Sequence, residues 1–206
     1  MKKIIKTLRI IAFALILASL LFACAAPRAA ETVFLNEDSA NGYRIGGRGP
    51  GGGIIFYHDA DGFIMSDTGE TAYYLEASPA NLSRFVWASP GATNREVPGT
   101  ETAIGTGRKN TAIILVIDPG ASAALTAKNF STTVDGITFS DWFLPSRDEL
   151  FQLYINRAIV GITSSQEFWS SSQSNFWDVF ALDFGFGEQV TGVKNDPGVV
   201  CPIRAF

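Results

Sequence analysis

Asp141, Asp148 and Glu149 stand around Trp142, and a glycosidase works with two carboxylates beside an aromatic surface, so these side chains come nearest to catalytic spacing. Two of the three have simpler roles. In Pro145-Ser146-Arg147-Asp148-Glu149, Ser146 and Glu149 have the spacing of a capping box, in which each side chain satisfies the other's backbone N–H. Asp148 favours the positive end of the same helix dipole. His58 is the only histidine, and it directly precedes Asp59-Ala60-Asp61-Gly62, which reads as a turn. A serine triad would have to recruit that histidine, and the chain has no Gly-x-Ser-x-Gly elbow. One histidine and one cysteine beyond residue 24 do not make a zinc site, and Asp59 and Asp61 lack the rest of a calcium loop. The expectation is a protein that is not an enzyme and needs no metal or cofactor.

Two glycine clusters imitate phosphate sites. Gly47-Arg48-Gly49-Pro50-Gly51-Gly52 has dinucleotide-type spacing but leads into a strand where the fingerprint needs a helix, so it reads as a turn. Gly105-Thr106-Gly107-Arg108-Lys109 lacks the Gly-Lys-Ser/Thr ending of a P-loop and reads as a helix start, with backbone N–H groups available to an anion. Binding chemistry is better placed near the polar run from Ser170 to Asn175. Trp142 and Trp169 read as core, whereas Trp177 opens a strand beside that run. The candidate ligand face is therefore Ser172, Gln173, Asn175, Trp177 and Asp178, whose hydroxyl, amide and carboxylate groups would hydrogen-bond a glycan stacked on the indole.

The elements that must position this face begin after a leader. Lys2, Lys3, Lys6 and Arg9 precede an apolar run from Ile10 to Ala23 that ends in Leu21-Phe22-Ala23-Cys24. The run is shorter than the roughly 17–25 residues of a membrane span and ends in small residues, as a cleaved signal does. Residues 1–23 are expected to be a lipoprotein signal peptide and Cys24 the lipidated N-terminus. Residues 24–42 would form a tether, residues 43–206 a single domain, and Ala25 after the cysteine favours an outer-membrane or surface address. The leader holds four of the 16 Lys and Arg residues and none of the 20 Asp and Glu, so the remainder carries 12 basic against 20 acidic residues, a net charge of −8. That balance argues against nucleic acid as a partner. Membrane contact is expected through the lipid alone, and Cys201 has no partner for an intramolecular disulfide once Cys24 is lipidated.

Strands are predicted over 53–57, 73–77, 85–88, 168–172, 177–184, 188–194 and 199–206, with Gly185-Phe186-Gly187 closing a hairpin. Helical stretches over 110–117 and 121–130 are separated by Asp118-Pro119-Gly120, and another follows Ser146. Strands, then helices, then strands indicate an α+β domain with a mixed or antiparallel sheet and two or three helices in a central excursion.

The ordered blocks Tyr43-Arg44-Ile45-Gly46, Gly49-Pro50-Gly51-Gly52-Gly53-Ile54-Ile55-Phe56-Tyr57, Tyr74-Leu75-Glu76-Ala77, Ile104-Gly105-Thr106-Gly107 with Asn110-Thr111, Asp141-Trp142-Phe143-Leu144-Pro145-Ser146, Asp148-Glu149-Leu150, Phe168-Trp169-Ser170-Ser171-Ser172 and Arg204-Ala205-Phe206 carry a resemblance. Together they resemble the bacterial surface-domain family typified by the C-terminal domain of the Legionella collagen-like adhesin. The resemblance implies a secreted or lipid-anchored envelope protein with a non-enzymatic, adhesin-like binding domain, whose partner is a glycan or an envelope or host protein. Two alternatives stand beside it: a structural interaction module of the envelope, and a carbohydrate-active enzyme. A looser similarity to C-type-lectin-like domains implies that the first and last strands, 53–57 and 202–206, pair. Gln173 and Cys201 stand where relatives often carry glutamate and arginine, which, with the acidic balance, argues against a sulfated polysaccharide. Trp169-Ser170-Ser171-Ser172-Gln173 also lacks the Trp-Asn-Asp tripeptide of calcium-dependent lectins.

Overall fold

The structure, a computed structural model, describes residues 42–79 and 83–206. Cys24, the leader and nearly all of the expected tether lie outside the described residues. The described residues belong to one compact unit of mixed α+β class. In chain order they form β1 (Ile54–Ile64), β2 (Thr71–Ala77), β3 (Ser83–Val86), α1 (Gly107–Ile117), α2 (Ser122–Asn129), β4 (Thr132–Val134) and β5 (Ile137–Phe139). Then follow α3 (Arg147–Ile155), α4 (Arg157–Val160), β6 (Glu167–Gln173), β7 (Asp178–Asp183), β8 (Glu188–Val193), β9 (Pro197–Val200) and β10 (Ile203–Ala205). One sheet has the order β1-β2-β10, a second β3-β9-β6-β7-β8, and β4 and β5 form a separate hairpin. No described helix is long and apolar enough to cross a membrane.

The larger sheet buries both faces, because strand side chains alternate with a period of two. Phe168, Leu182 and Val199 point into a cluster shared with Phe56, Leu75, Leu150 and Leu153, while Trp169, Ala181 and Val200 join Trp87, Ile114 and Ala124 in another. α3 thus packs over one face, and α1 and α2 over the other. α1 ends where Pro119 cannot continue it. Asp118 then accepts from the Ser89 N–H and hydroxyl at 2.7 Å each, tying the helix end to the loop after β3. α3 opens with the expected capping box: the Ser146 hydroxyl accepts from Glu149 N at 3.3 Å, and Glu149 accepts from Ser146 N at 2.7 Å.

Three expectations change. The last strand pairs with β2 and not with the first, setting Ile203 opposite Ala77 and Ala205 opposite Leu75, so β2 lies between β1 and β10. The run 199–206 is two strands in two sheets, divided at Cys201-Pro202, where the Pro202 carbonyl accepts from Ser78 N. Asp59–Gly62, expected as a turn, is an irregular bulge inside β1, between the pairs His58–Tyr74 and Phe63–Ala72. The β4–β5 hairpin turns at Asp135-Gly136, both with positive φ (50° and 81°), the backbone a type I′ turn demands.

Both glycine clusters are clamped by buried glutamates. Glu76, with no exposed surface, accepts from Gly51 N at 3.0 Å and Gly53 N at 2.8 Å and receives Arg204 at 2.9 Å; Arg204 also holds Asp141 at 2.6 Å. Glu149 accepts from Gly105 N at 2.8 Å. A Cβ on Gly107 would stand 2.2 Å from the Glu149 carboxylate, so glycine is required for so close an approach. The anion that the Gly105–Gly107 backbone holds is therefore a side chain of the same chain.

Candidate functional site

β6 leads into the turn Ser174–Trp177, and β7 leaves it. Ser174 and Asn175 both donate backbone N–H to the Asp178 carbonyl, at 3.0 and 3.1 Å. The Asn175 side chain organises the turn: its Oδ1 accepts from Trp177 N at 2.8 Å and Asp178 N at 3.0 Å, while its Nδ2 donates to the Asp178 carboxylate at 3.0 Å. Such Asx geometry replaces ladder hydrogen bonds where a strand reverses. The turn presents Trp177, 58% exposed, edge-on to Phe176, 40% exposed, with ring centroids 4.9 Å apart.

Lys194 supports this turn from within. Its side chain is buried, and its ammonium donates to the Arg95 carbonyl at 2.7 Å and the Phe176 carbonyl at 3.0 Å, 5.4 Å from the centroid of Trp87. Burial lowers its pKa, opposed by the nearby carboxylates of Asp178 and Glu96. The cation ties the Arg95–Glu96 segment to the aromatic turn. Between those segments lies a groove of about 230 Å³, walled by Glu96–Thr100 on one side and Gln173–Asn175 on the other.

Of the five residues expected to form the face, the structure brings Gln173, Asn175, Trp177 and Asp178 together and removes Ser172. Ser172 is fully buried; its hydroxyl donates to the Glu101 carbonyl at 2.7 Å and accepts from Arg147 N at 3.0 Å. It joins the groove wall to the start of α3 and offers nothing to solvent. Gln173 lies in the groove wall, with Oε1 accepting from Val97 N and Nε2 donating to the Asn175 carbonyl, both at 2.5 Å. Asn175 and Asp178 likewise shape the turn. The exposed surface of the face is chiefly aromatic.

The carboxylates around Trp142 do not converge on a reaction centre. Asp141 is paired with Arg204, Asp148 with Arg147 at 2.8 Å, and Glu149 is inside the glycine clamp. Burial pushes the Glu149 carboxyl up to about 7, partly opposed by the backbone N–H groups of Ser146, Gly105 and Gly107. Trp142 and Trp169 are buried, as expected of core. His58 is exposed and stacks on Tyr74, centroids 4.5 Å apart. Cys201 is buried, and burial pushes its thiol up to about 12, which keeps it protonated and unreactive. Among the described residues no three His, Cys, Asp or Glu side chains gather as a metal site requires.

Sequence reasoning missed Phe176 and Lys194. Lys194 ended a predicted strand, where a lysine ordinarily snorkels to water; its burial follows from the loop after β3 folding over it, a tertiary contact without local signal. No known protein-family model matches the chain, and no curated protein does.

Proposed function

We propose that this chain is a lipid-anchored protein of the bacterial envelope and that its domain is a non-enzymatic, adhesin-like module that binds a glycan. The observation that carries the reading is the exposed indole of Trp177, held on a turn pinned by Asn175 and Lys194 beside an open polar groove. A sugar ring offers C–H groups to an aromatic face and hydroxyls to neighbouring polar walls, and an exposed indole on a hydrogen-bonded turn suits that geometry. The leader ending in Cys24, the ordered motifs from Tyr43 to Phe206 and the acidic balance support the envelope setting.

A glycan array probed with residues 31–206, in calcium and in chelator, tests the reading. The expected result is binding that Trp177→Ala removes while circular dichroism stays unchanged. Unchanged affinity of that variant for a verified glycan overturns this site. A folded domain that binds no glycan transfers the reading to an envelope interaction module, which Phe186, 82% exposed at the tip of the β7–β8 hairpin, favours as an apolar contact.

A further inference from the structure

A second concavity, of about 350 Å³, shares no residue with the groove beside Trp177. Its size falls at the lower end of the roughly 300–1,000 Å³ typical of small-molecule sites. One wall is a single face of α1, where Arg108, Ala112 and Leu115 recur at helical spacing. The other is built from Lys128 in the last turn of α2 and from Asp141, Trp142 and Phe143 ahead of α3.

The inner lining is apolar. Trp142, Phe143 and Thr111 are almost wholly buried there, and the Thr111 hydroxyl is engaged by the Gly107 carbonyl at 2.8 Å and by Leu144 N at 3.0 Å. Among the described residues the buried indole N–H of Trp142 has no hydrogen-bond partner.

The charged lining carries both signs. Arg108 is committed to Asp67 through two hydrogen bonds of 2.7 and 3.1 Å. Asp141 gives Oδ1 to Arg204 and keeps Oδ2. Among the described residues Lys128 enters no ion pair. An uncommitted ammonium and an uncommitted carboxylate oxygen thus border one apolar pocket. A simple anion would meet Asp141, and a simple cation would meet Lys128; a zwitterion satisfies both.

We infer that this pocket binds a free α-amino acid with an apolar side chain: carboxylate toward Lys128, ammonium toward Asp141, side chain against Leu115 and Trp142. Equilibrium dialysis of the full chain in detergent against radiolabelled L-leucine and L-phenylalanine tests it. Saturable binding is expected at one site per chain, weakened about tenfold or more by Lys128→Ala, since a charge-assisted hydrogen bond carries about that factor. Leu115→Trp, which fills the pocket from a half-buried surface position, should abolish binding, and Trp177→Ala should leave it unchanged. N-acetyl-leucine and leucinamide should each bind about tenfold more weakly than leucine. Thermal midpoints of the variants separate lost binding from lost fold. No saturable binding at millimolar leucine or phenylalanine overturns the proposal. So does N-acetyl-leucine or leucinamide binding as well as leucine, or leucine binding that survives both Lys128→Ala and Leu115→Trp in folded protein.

Discussion

Glu76 and Glu149 do the same mechanical work with different charge compensation. Each buries a carboxylate against the N–H groups of a glycine loop, but Glu76 also receives Arg204. Glu149 depends on backbone dipoles, and burial raises its pKa from 4.5 to about 7. Because the unfolded chain releases this proton at lower pH than the folded one, the Glu149 contribution is complete below pH 4.5 and is lost as pH rises to about 7. The ceiling on that loss is roughly 3 kcal/mol. Denaturant unfolding at about pH 5 and about pH 8 should therefore show lower stability at the higher pH. Glu149→Gln, which keeps a capping-box residue, should flatten the difference; an undiminished slope in that variant would assign the titration to another group.

At the scale of elements, the larger sheet is organised around the indole of Trp169. Its ring lies against the backbone of β8 and β9, where a Cβ on Gly192 would stand 2.5 Å from the ring and one on Gly198 2.6 Å from it. Trp169 Nε1 donates to the Phe85 carbonyl of β3 at 2.8 Å, so one side chain links β3, β6, β8 and β9. Gly198→Ala should destabilise the domain by about 1–3 kcal/mol through overpacking, measured as a shifted urea midpoint. Gly91→Ala, where an added Cβ meets nothing within 4 Å and φ is not positive, is the control and should leave the midpoint in place. Elements with local signals were legible in the sequence: the capping box at Ser146, the break at Pro119 and the hairpin at Gly185–Gly187 depend on neighbours a few residues apart. The passage of the chain between sheets at Cys201-Pro202 was marked only by a proline inside a mostly apolar run, because which sheet receives each half is decided by tertiary contacts without local signal. Ser172 was misplaced for a related reason. β6 loses its register between Trp169 and Gln173, and Ser170, Ser171 and Ser172 are all buried, each hydroxyl donating to a carbonyl of another segment: Phe180, Pro145 and Glu101. A serine run that looks like solvent-facing surface is here a buried row of hydrogen bonds.

For the whole molecule, the proposed function would depend on where the domain is held as much as on what it binds. The start of the described chain is fixed to its end: the Tyr43 ring meets Phe206 at 5.1 Å and Tyr74 at 5.8 Å, and Phe206 exchanges backbone hydrogen bonds with Tyr74. A segment joined at Tyr43 therefore pulls on the β1-β2-β10 sheet, whereas Trp177 and its groove belong to the turn between β6 and β7 of the other sheet. An anchor at Cys24 would then bear on one sheet and the ligand on the other, with the core they share, Phe56, Leu75 and Ile203 against Phe168, Leu182 and Val199, carrying the load. The anchor is open to a direct chemical test. A thioether-linked diacylglycerol on Cys24 would make the chain partition into the detergent phase of a Triton X-114 separation, since two acyl chains hold a protein to a bilayer where one does not. Cys24→Ala should move the full-length protein, expressed in a bacterium that processes lipoproteins, to the aqueous phase, with its thermal midpoint unchanged. Equal partitioning of the two proteins would remove the lipid from the mechanism, leaving the domain to reach its ligand as a secreted module.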